Sequence, residues 1–354
     1  MIDDAIIACN GRLISFSLEA LRGGLAMAGL QRRTFNALVL AGVVGSGRAA
    51  RAADGEIAIT YYGTSMYGMP YTLAAEHSDF KAAGIETPGF LTGQGGGSVV
   101  RTALAATIPY GEVATSAAIA AIKQGLPITI VNSCVGTVGD ILWIARKDDP
   151  RPLNAKTLDG LVIGYSSPKG GSDMIVSEIL RVTGAKATKR PVGGVGASLT
   201  ALREKAVDIT WTQEPIWSGI KDQYRLVFNS SDFIPRISQT VGIVRNDYLK
   251  THPDTVRAII EARRKGVDFL YAQPEQSADI LGKSYKMDPK IVLDAIQTVA
   301  TIKGVNYWSR GNIDYEGLKI SLKTLQAVGA VDDKPVDWKS VVSENFLPND
   351  LRSI

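Results

Sequence analysis

The chain has 354 residues, 45% hydrophobic and 21% charged, with a formal net charge of +4; this is the composition of a globular protein with enough chain for two compact lobes. Residues 1–52 hold six arginines against three acidic residues, so the remainder is near neutral and offers no basic stripe to a nucleic acid. Two cysteines, Cys9 and Cys134, and two histidines, His77 and His252, argue against a disulfide framework and a His-rich metal centre.

Residues 1–52 read as a leader. The arginine pair in Gln31-Arg32-Arg33-Thr34-Phe35 precedes an uncharged run over 37–47, and Ala50-Arg51-Ala52 has the small-x-small spacing of a cleavage site. The run is too short to span a bilayer. An arginine pair followed by Thr and Phe resembles a twin-arginine export signal, while Asn36 and the modest apolarity of the run leave the general secretory route open. Because residues 1–26 exceed the usual leader length, translation is expected to start at Met27, with 27–52 as the signal peptide and the mature chain beginning near Ala53.

Beyond the leader, alternation and β-rich composition predict a strand over 56–62, the turn Gly63-Thr64-Ser65-Met66-Tyr67-Gly68, and a helix over 71–83. Gly93-Gln94-Gly95-Gly96-Gly97-Ser98 then opens directly into a helix over 99–106. A short strand at 112–115 follows, with Ser116 placed to cap a helix over 117–123. Gln124-Gly125 stops that helix before a strand at 127–131, and residues 141–146 complete the first half.

The polar, proline-bearing segment 147–152 reads as a crossover to a second lobe. There the pattern restarts with a strand at 161–165, the loop 166–171, a helix over 172–181 closed by Gly184, and a strand at 189–192. Gly193-Gly194-Val195-Gly196 leads into a helix over 198–205, and a strand at 207–211 precedes Gln213-Glu214-Pro215. A strand over 238–245 returns to the first lobe, after which helices follow at 255–271, 277–283, 290–299 and 315–328. Repeated strand, Gly-rich loop and helix imply an α/β fold of two doubly wound lobes, with 53–150 and 240–354 forming the first and 151–239 the second.

Several loops place small or hydroxyl residues after a strand and before a helix. Helix N-termini carry unpaired N–H donors and partial positive charge, so a group of them facing one crevice holds an anionic or strongly polar group without a lysine. The plain alternative for each loop is turn chemistry. Three consecutive glycines at 95–97 exceed what a turn needs. The absence of Gly-x-Gly-x-x-Gly and Gly-Lys-Ser patterns there argues against a nucleotide. Tyr61, Tyr62, Tyr67, Trp211, Trp217 and Trp308 are the aromatics placed to line the crevice, with Tyr67 and Trp217 favoured by their position in or beside loops. Lys169 is the cation of the 166–172 loop, and Glu214 either accepts from a ligand or stitches its own loop.

These residues together resemble the periplasmic solute-binding proteins of ABC importers in the nitrate, sulfonate and taurine group, whose fold is shared with thiamine-precursor synthesis proteins. The resemblance is carried by Gly95-Gly96-Gly97-Ser98, Lys123-Gln124-Gly125, Leu158-Asp159-Gly160-Leu161-Val162-Ile163-Gly164, Ala201-Leu202-Arg203, Val207-Asp208, Glu214-Pro215, Asn246-Asp247-Tyr248-Leu249 and His252-Pro253. It implies a periplasmic-binding-protein type II fold, lobes joined by hinge strands, and a periplasmic monomer that delivers a small-molecule ligand to an inner-membrane permease. The expected ligand contacts are Ser65, Tyr67, Gly96, Gly97, Ser98, Thr115 and Ser116 on one jaw, and Ser167, Gly171, Ser172, Gly194, Glu214 and Trp217 on the other. No catalytic residue, metal or cofactor is expected.

Enzymes of the same fold are the competing class. A desulfinase places a cysteine nucleophile after the first strand, where this chain has Ser65; a thiamine-precursor synthase needs a cysteine-rich motif and a reactive histidine, where Cys134 stands alone and His77 falls in a predicted helix. Ser65 has no Gly-x-Ser-x-Gly elbow around it. A ligand-sensing partner of a membrane receptor would use the same crevice.

Overall fold

The computed structural model describes residues 5–9, 12–16, 55–85, 89–93, 96–168, 170–234, 236–302 and 304–353. The expected leader signals at 31–52 and the start at Met27 lie outside the described residues, as does Lys169. Residues 1–51 form a unit of their own, in which strands β1 (Ala5–Cys9) and β2 (Arg12–Phe16) pair antiparallel. Residues 52–354 form the second unit, which carries both large sheets.

The first sheet has the order β4-β3-β5-β12-β6. β3 (Ile57–Thr60) is parallel to both β4 (Phe90–Gly93) and β5 (Tyr110–Ala114). Ile57, Ala58 and Ile59 are fully buried, as expected for an interior parallel strand covered by helices on both faces. β12 (Thr240–Arg245) lies antiparallel between β5 and β6 (Ile128–Val135). The helices that follow these strands are α1 (Met69–Glu76), α2 (Asp79–Ala82), α3 (Gly96–Ala105) and α4 (Thr115–Lys123).

The second sheet has the order β11-β7-β10-β8-β9. It is built from β7 (Ile141–Arg146), β8 (Val162–Tyr165), β9 (Thr188–Pro191), β10 (Ile209–Gln213) and β11 (Tyr224–Asn229), with α5 (Gly171–Thr183), α6 (Val195–Arg203) and α7 (Ile216–Ile220) between strands. Here the structure corrects the sequence reading. β7 is not the end of the first half; it sits between β10 and β11, with Trp143 opposite both Trp211 and Phe228. Burying Trp143 and Ala145 in the second core decides its place. The chain therefore crosses between sheets at 136–140 and again at 230–239. Segment 147–152 is a turn within the second lobe, where Arg151 bridges Asp149 (2.7 Å) and Asp208 (2.6 Å).

After β12 the chain is helical: α8 (Asn246–Thr251), α9 (Pro253–Ala272), α10 (Pro274–Tyr285), α11 (Pro289–Ala300), α12 (Tyr315–Ala327) and α13 (Trp338–Val341). α9 buries its stripe of Val256, Ile259, Ile260, Val267 and Leu270 on the first lobe, and Gly266 lets it approach the Pro70 carbonyl of α1 directly. A Cβ at Gly266 would collide with that backbone. None of the helices among the described residues is long and apolar enough to cross a membrane.

The two lobes touch on both sides of the crevice between them. On one side Met174 of α5 seats against Ile119, Leu322 and Leu325 of α4 and α12. On the other, Lys221 pairs with Asp294 at 2.6 Å and Gly219 lies against Ile291, joining the end of α7 to α11.

Candidate functional site

Between these two contacts lies a cavity of about 770 Å³ whose wall draws on both lobes and both crossovers. The loop after β3 supplies its first edge. Tyr61 takes a left-handed backbone at φ 53°, a conformation that costs a non-glycine residue on the order of 1 kcal/mol. Its N–H donates to Gly93 O (3.2 Å), and its carbonyl accepts from the N–H groups of Thr64 (3.1 Å) and Ser65 (3.0 Å). Tyr61 lines the cavity and packs partly against the first core. Ser65 does not: it is fully buried, its hydroxyl turned back onto the carbonyls of Tyr61 (3.2 Å) and Thr60 (3.4 Å). Two residues on, Tyr67 reaches the wall and its hydroxyl accepts from Gln239 Nε2 at 2.8 Å. Burial, reinforced by nearby Asp140, holds the Tyr67 phenol far above its ordinary pKa, so it stays protonated.

Three helices of the first and second lobes begin at this wall. α3 brings Gly97 and Ser98, α4 brings Ser116, and α5 brings Gly171 and Ser172 with Ser166 and Ser167 of its preceding loop. The N-cap positions Ala114 and Gly170 provide no side-chain cap, and at the start of α4 the Thr115 N–H donates to Gln239 O at 2.9 Å. Ser172 Oγ accepts from Ser166 N (2.8 Å) and meets Ser166 Oγ at 2.6 Å, which fixes the loop against the helix start. Gly96 begins α3, and Thr115 is buried behind the wall, its hydroxyl 3.3 Å from Ser238 Oγ.

The second lobe contributes through β10, and period-2 alternation decides which residues take part. Trp211 and Gln213 face the cavity, while Thr210, Thr212 and Glu214 do not line it. Glu214 is buried, donates its N–H to Asp140 O (2.8 Å) and accepts from Ser218 N at 3.1 Å. Trp217 packs instead in a small cluster with Ile144, Leu202 and Tyr224. Gly194, exposed at the start of α6, is also away from the wall. The structure thus gathers Tyr67, Gly97, Ser98, Ser116, Ser167, Gly171 and Ser172 of the expected set, and leaves Ser65, Thr115, Gly194, Glu214 and Trp217 outside.

The sequence reading missed Gln213, Gln239, Thr240 and the apolar part of the wall, and among the aromatics it named for the crevice it favoured Tyr67 and Trp217 over Tyr61 and Trp211, although Trp217 lies off the wall and Tyr61 and Trp211 line it. Parity along β10 was the available signal for Trp211. Nothing local marks Gln239, which sits at the end of the second crossover. Val138, Ile141, Ile175, Ile234 and Ile237 form an aliphatic surface opposite the hydroxyls. Arg101, exposed on α3, is the single formally charged side chain among the described wall residues. No group of His, Cys, Asp and Glu suited to a metal occurs among the described residues.

Comparison with known proteins agrees with this architecture. The periplasmic aliphatic sulphonate binding protein SsuA from Escherichia coli superposes with a TM-score of 0.64 at 13% identity, over 82% of this chain and 92% of that one. The periplasmic nitrate-binding protein NrtA from Synechocystis PCC 6803 gives 0.64 at 13% identity, over 83% and 87%. The desulfurization enzyme DSZB gives 0.61 at 12% identity, over 82% and 97%. At these identities the likeness is one of fold, that of the periplasmic binding proteins. A Brucella abortus protein, named only provisionally as a binding protein, is 30% identical over 138 residues, which span 37% of this chain and 43% of the relative. The family model described as NMT1/THI5 like matches residues 65–277, more than half of the chain, and the protein belongs to that family.

Proposed function

We propose that the protein is an extracytoplasmic solute-binding component that traps a small polar or anionic solute between its lobes and delivers it to an ABC import permease. The observation that carries this reading is a single cavity built from both lobes and both crossovers, into which three helices start. A ligand that touches both jaws favours the closed arrangement over the open one, which is the differential contact that closure requires. The site residues of this reading are the gathered set, Tyr67, Gly97, Ser98, Ser116, Ser167, Gly171 and Ser172, joined by Tyr61, Trp211 and Gln239. The fold neighbours described as periplasmic sulphonate- and nitrate-binding proteins support a location outside the cytoplasm and a permease partner, as does the leader pattern.

The fold also serves an enzyme, so the side chains weigh in the choice. Cys134 is fully buried in β6 and accepts from Asn132 Nδ2 at 3.1 Å, and burial keeps its thiol protonated. It does not reach the wall, and His77 and His252 are exposed beside Phe269 and Tyr248. No cysteine or histidine lies on the described wall to act as nucleophile or base.

The test is a thermal-shift screen of residues 53–354 against sulfonates, carboxylates, nitrate, amines and pyrimidines, followed by calorimetry and product analysis of each hit. A solute that raises the melting temperature and is recovered unchanged fits the reading. Conversion of the hit to product overturns it in favour of an enzyme.

A further inference from the structure

The cavity's own chemistry narrows the ligand, on the premise that the protein is a solute binder. We infer that the ligand is an aromatic organic anion, held between Tyr61 of the first lobe and Trp211 of the second, rather than nitrate or a short zwitterionic sulfonate.

Size is the first argument. The lobes already meet at Met174 on one side and at the Lys221–Asp294 pair on the other, yet about 770 Å³ remains between them. Cavities of roughly 300–1,000 Å³ hold drug-sized organic molecules. A nitrate ion would fill only a small part of this volume, whereas an organic body also meets the edges of Ile141, Ile175, Ile234 and Ile237, which the second core presents to the cavity.

Charge is the second. No carboxylate lines the described wall, since Asp140 and Glu214 are buried behind it. An ammonium group on the ligand would lose water and find no counter-charge, whereas an anionic head meets the uncapped helix starts of α4 and α5 and the guanidinium of Arg101.

The aromatic clamp is the third. A glycine or asparagine would occupy position 61 with less backbone strain, and the bonds from Gly93, Thr64 and Ser65 engage only its main chain. What tyrosine adds there is a side chain that packs partly on the first core and also lines the cavity. Trp211, a buried member of the second core opposite Trp143, lines the same cavity from the other lobe on a strand that is paired on both sides. Two aromatic surfaces from opposite jaws suit a flat ring, each contact adding about 0.5–1.5 kcal/mol beyond area burial.

Calorimetric titration of residues 53–354 with naphthalene-2-sulfonate, 2-naphthoate, methanesulfonate, taurine and nitrate tests the inference. A naphthalene anion is expected to bind at least about tenfold more tightly than the other three probes. Tyr61→Gly is expected to lose about tenfold for the naphthalene anion while remaining folded, since the relieved backbone offsets part of the core packing it gives up; Tyr61→Phe, which keeps the ring, is expected to bind as the wild type does. If methanesulfonate, taurine or nitrate binds as tightly as the naphthalene anions, the inference falls and the solute-binding reading stands. Undiminished naphthalene affinity in Tyr61→Gly removes the clamp. Failure of all five probes to bind overturns the inference together with the anion-binding reading on which it rests.

Discussion

The Gln239 carboxamide donates to Asp140 Oδ1 at 3.0 Å, joining the second crossover to the first. The same Nε2 donates to Tyr67 at 2.8 Å, and Glu214 N donates to the Asp140 carbonyl, so one residue of each crossover, one of the first lobe and one of the second meet at Asp140. Burial pushes the Asp140 carboxyl up to about 6, against the opposing hydrogen bond from Gln239. Burial likewise pushes Glu214 up to about 7, with Asp140 adding repulsion.

A pH dependence follows with a definite sign. Both groups hold their protons more tightly folded than unfolded, so their contribution to stability is complete below about pH 4 and is lost as pH rises through 6 to 7. The full loss is on the order of 3 kcal/mol per group. Asp140→Asn is expected to lack its share, so urea denaturation from pH 5 to pH 8 should show the wild type losing stability relative to the variant. Parallel profiles for the two proteins would contradict the assignment.

The buried ion pair of the first lobe makes a second prediction. Arg263 is 1% exposed, lies 3.2 Å from Glu112 Oε2, and donates to the carbonyls of Ser309 (2.6 Å) and Cys134 (2.8 Å). Arg263→Met strands the Glu112 carboxylate and is expected to cost about 3–5 kcal/mol. Adding Glu112→Gln should recover at least about 1 kcal/mol of that loss, read as a double-mutant cycle in urea. Strict additivity would mean that the two side chains are not energetically paired.

Gly266 tests the packing of α9 on α1. Gly266→Ala drives a Cβ into the Pro70 main chain, which has no rotamer to yield. The expected destabilisation is about 1–3 kcal/mol by guanidinium unfolding, despite alanine's better helix propensity. A variant more stable than wild type would place α9 farther from α1 than described.

Closure is addressed at Lys221. The Lys221–Asp294 pair is partly exposed, so it adds at most about 1 kcal/mol to folding stability. Lys221→Glu sets two carboxylates against each other across the lobes. Without ligand, its radius of gyration by small-angle scattering should exceed that of the wild type at low salt, and the two should converge at 1 M salt as screening removes the repulsion. Identical scattering at low salt would show that this contact does not bear on closure.

Much of the fold was legible in the chain because parallel strands, glycine-marked loops and helix stripes each leave a local pattern. The boundary between the lobes was not, since the conspicuous break at 147–152 marks a turn, whereas the actual crossover at 136–140 is short and its sequence, Gly136-Thr137-Val138-Gly139-Asp140, resembles any loop. Within the site, residue type identified the loops but not the direction of individual side chains. Ser65 and Ser116 look alike as hydroxyls after a strand; one is spent on its own backbone and the other reaches the cavity. Glu214 and Gln213 are neighbours whose fates are separated by one step of strand parity.

The placement of β12 governs the order in which the lobes can be finished. It lies inside the first sheet, between β5 and β6, but is made only after all five strands of the second sheet. Until residues 240–245 emerge, β5 and β6 keep open edges facing a missing strand. The second sheet has no such gap, because its strands run uninterrupted from 141 to 229. The lobe begun first is thus the lobe completed last, and the β12 pairings with β5 and β6 span the largest sequence separations of the first sheet, the non-local kind of contact that slows folding.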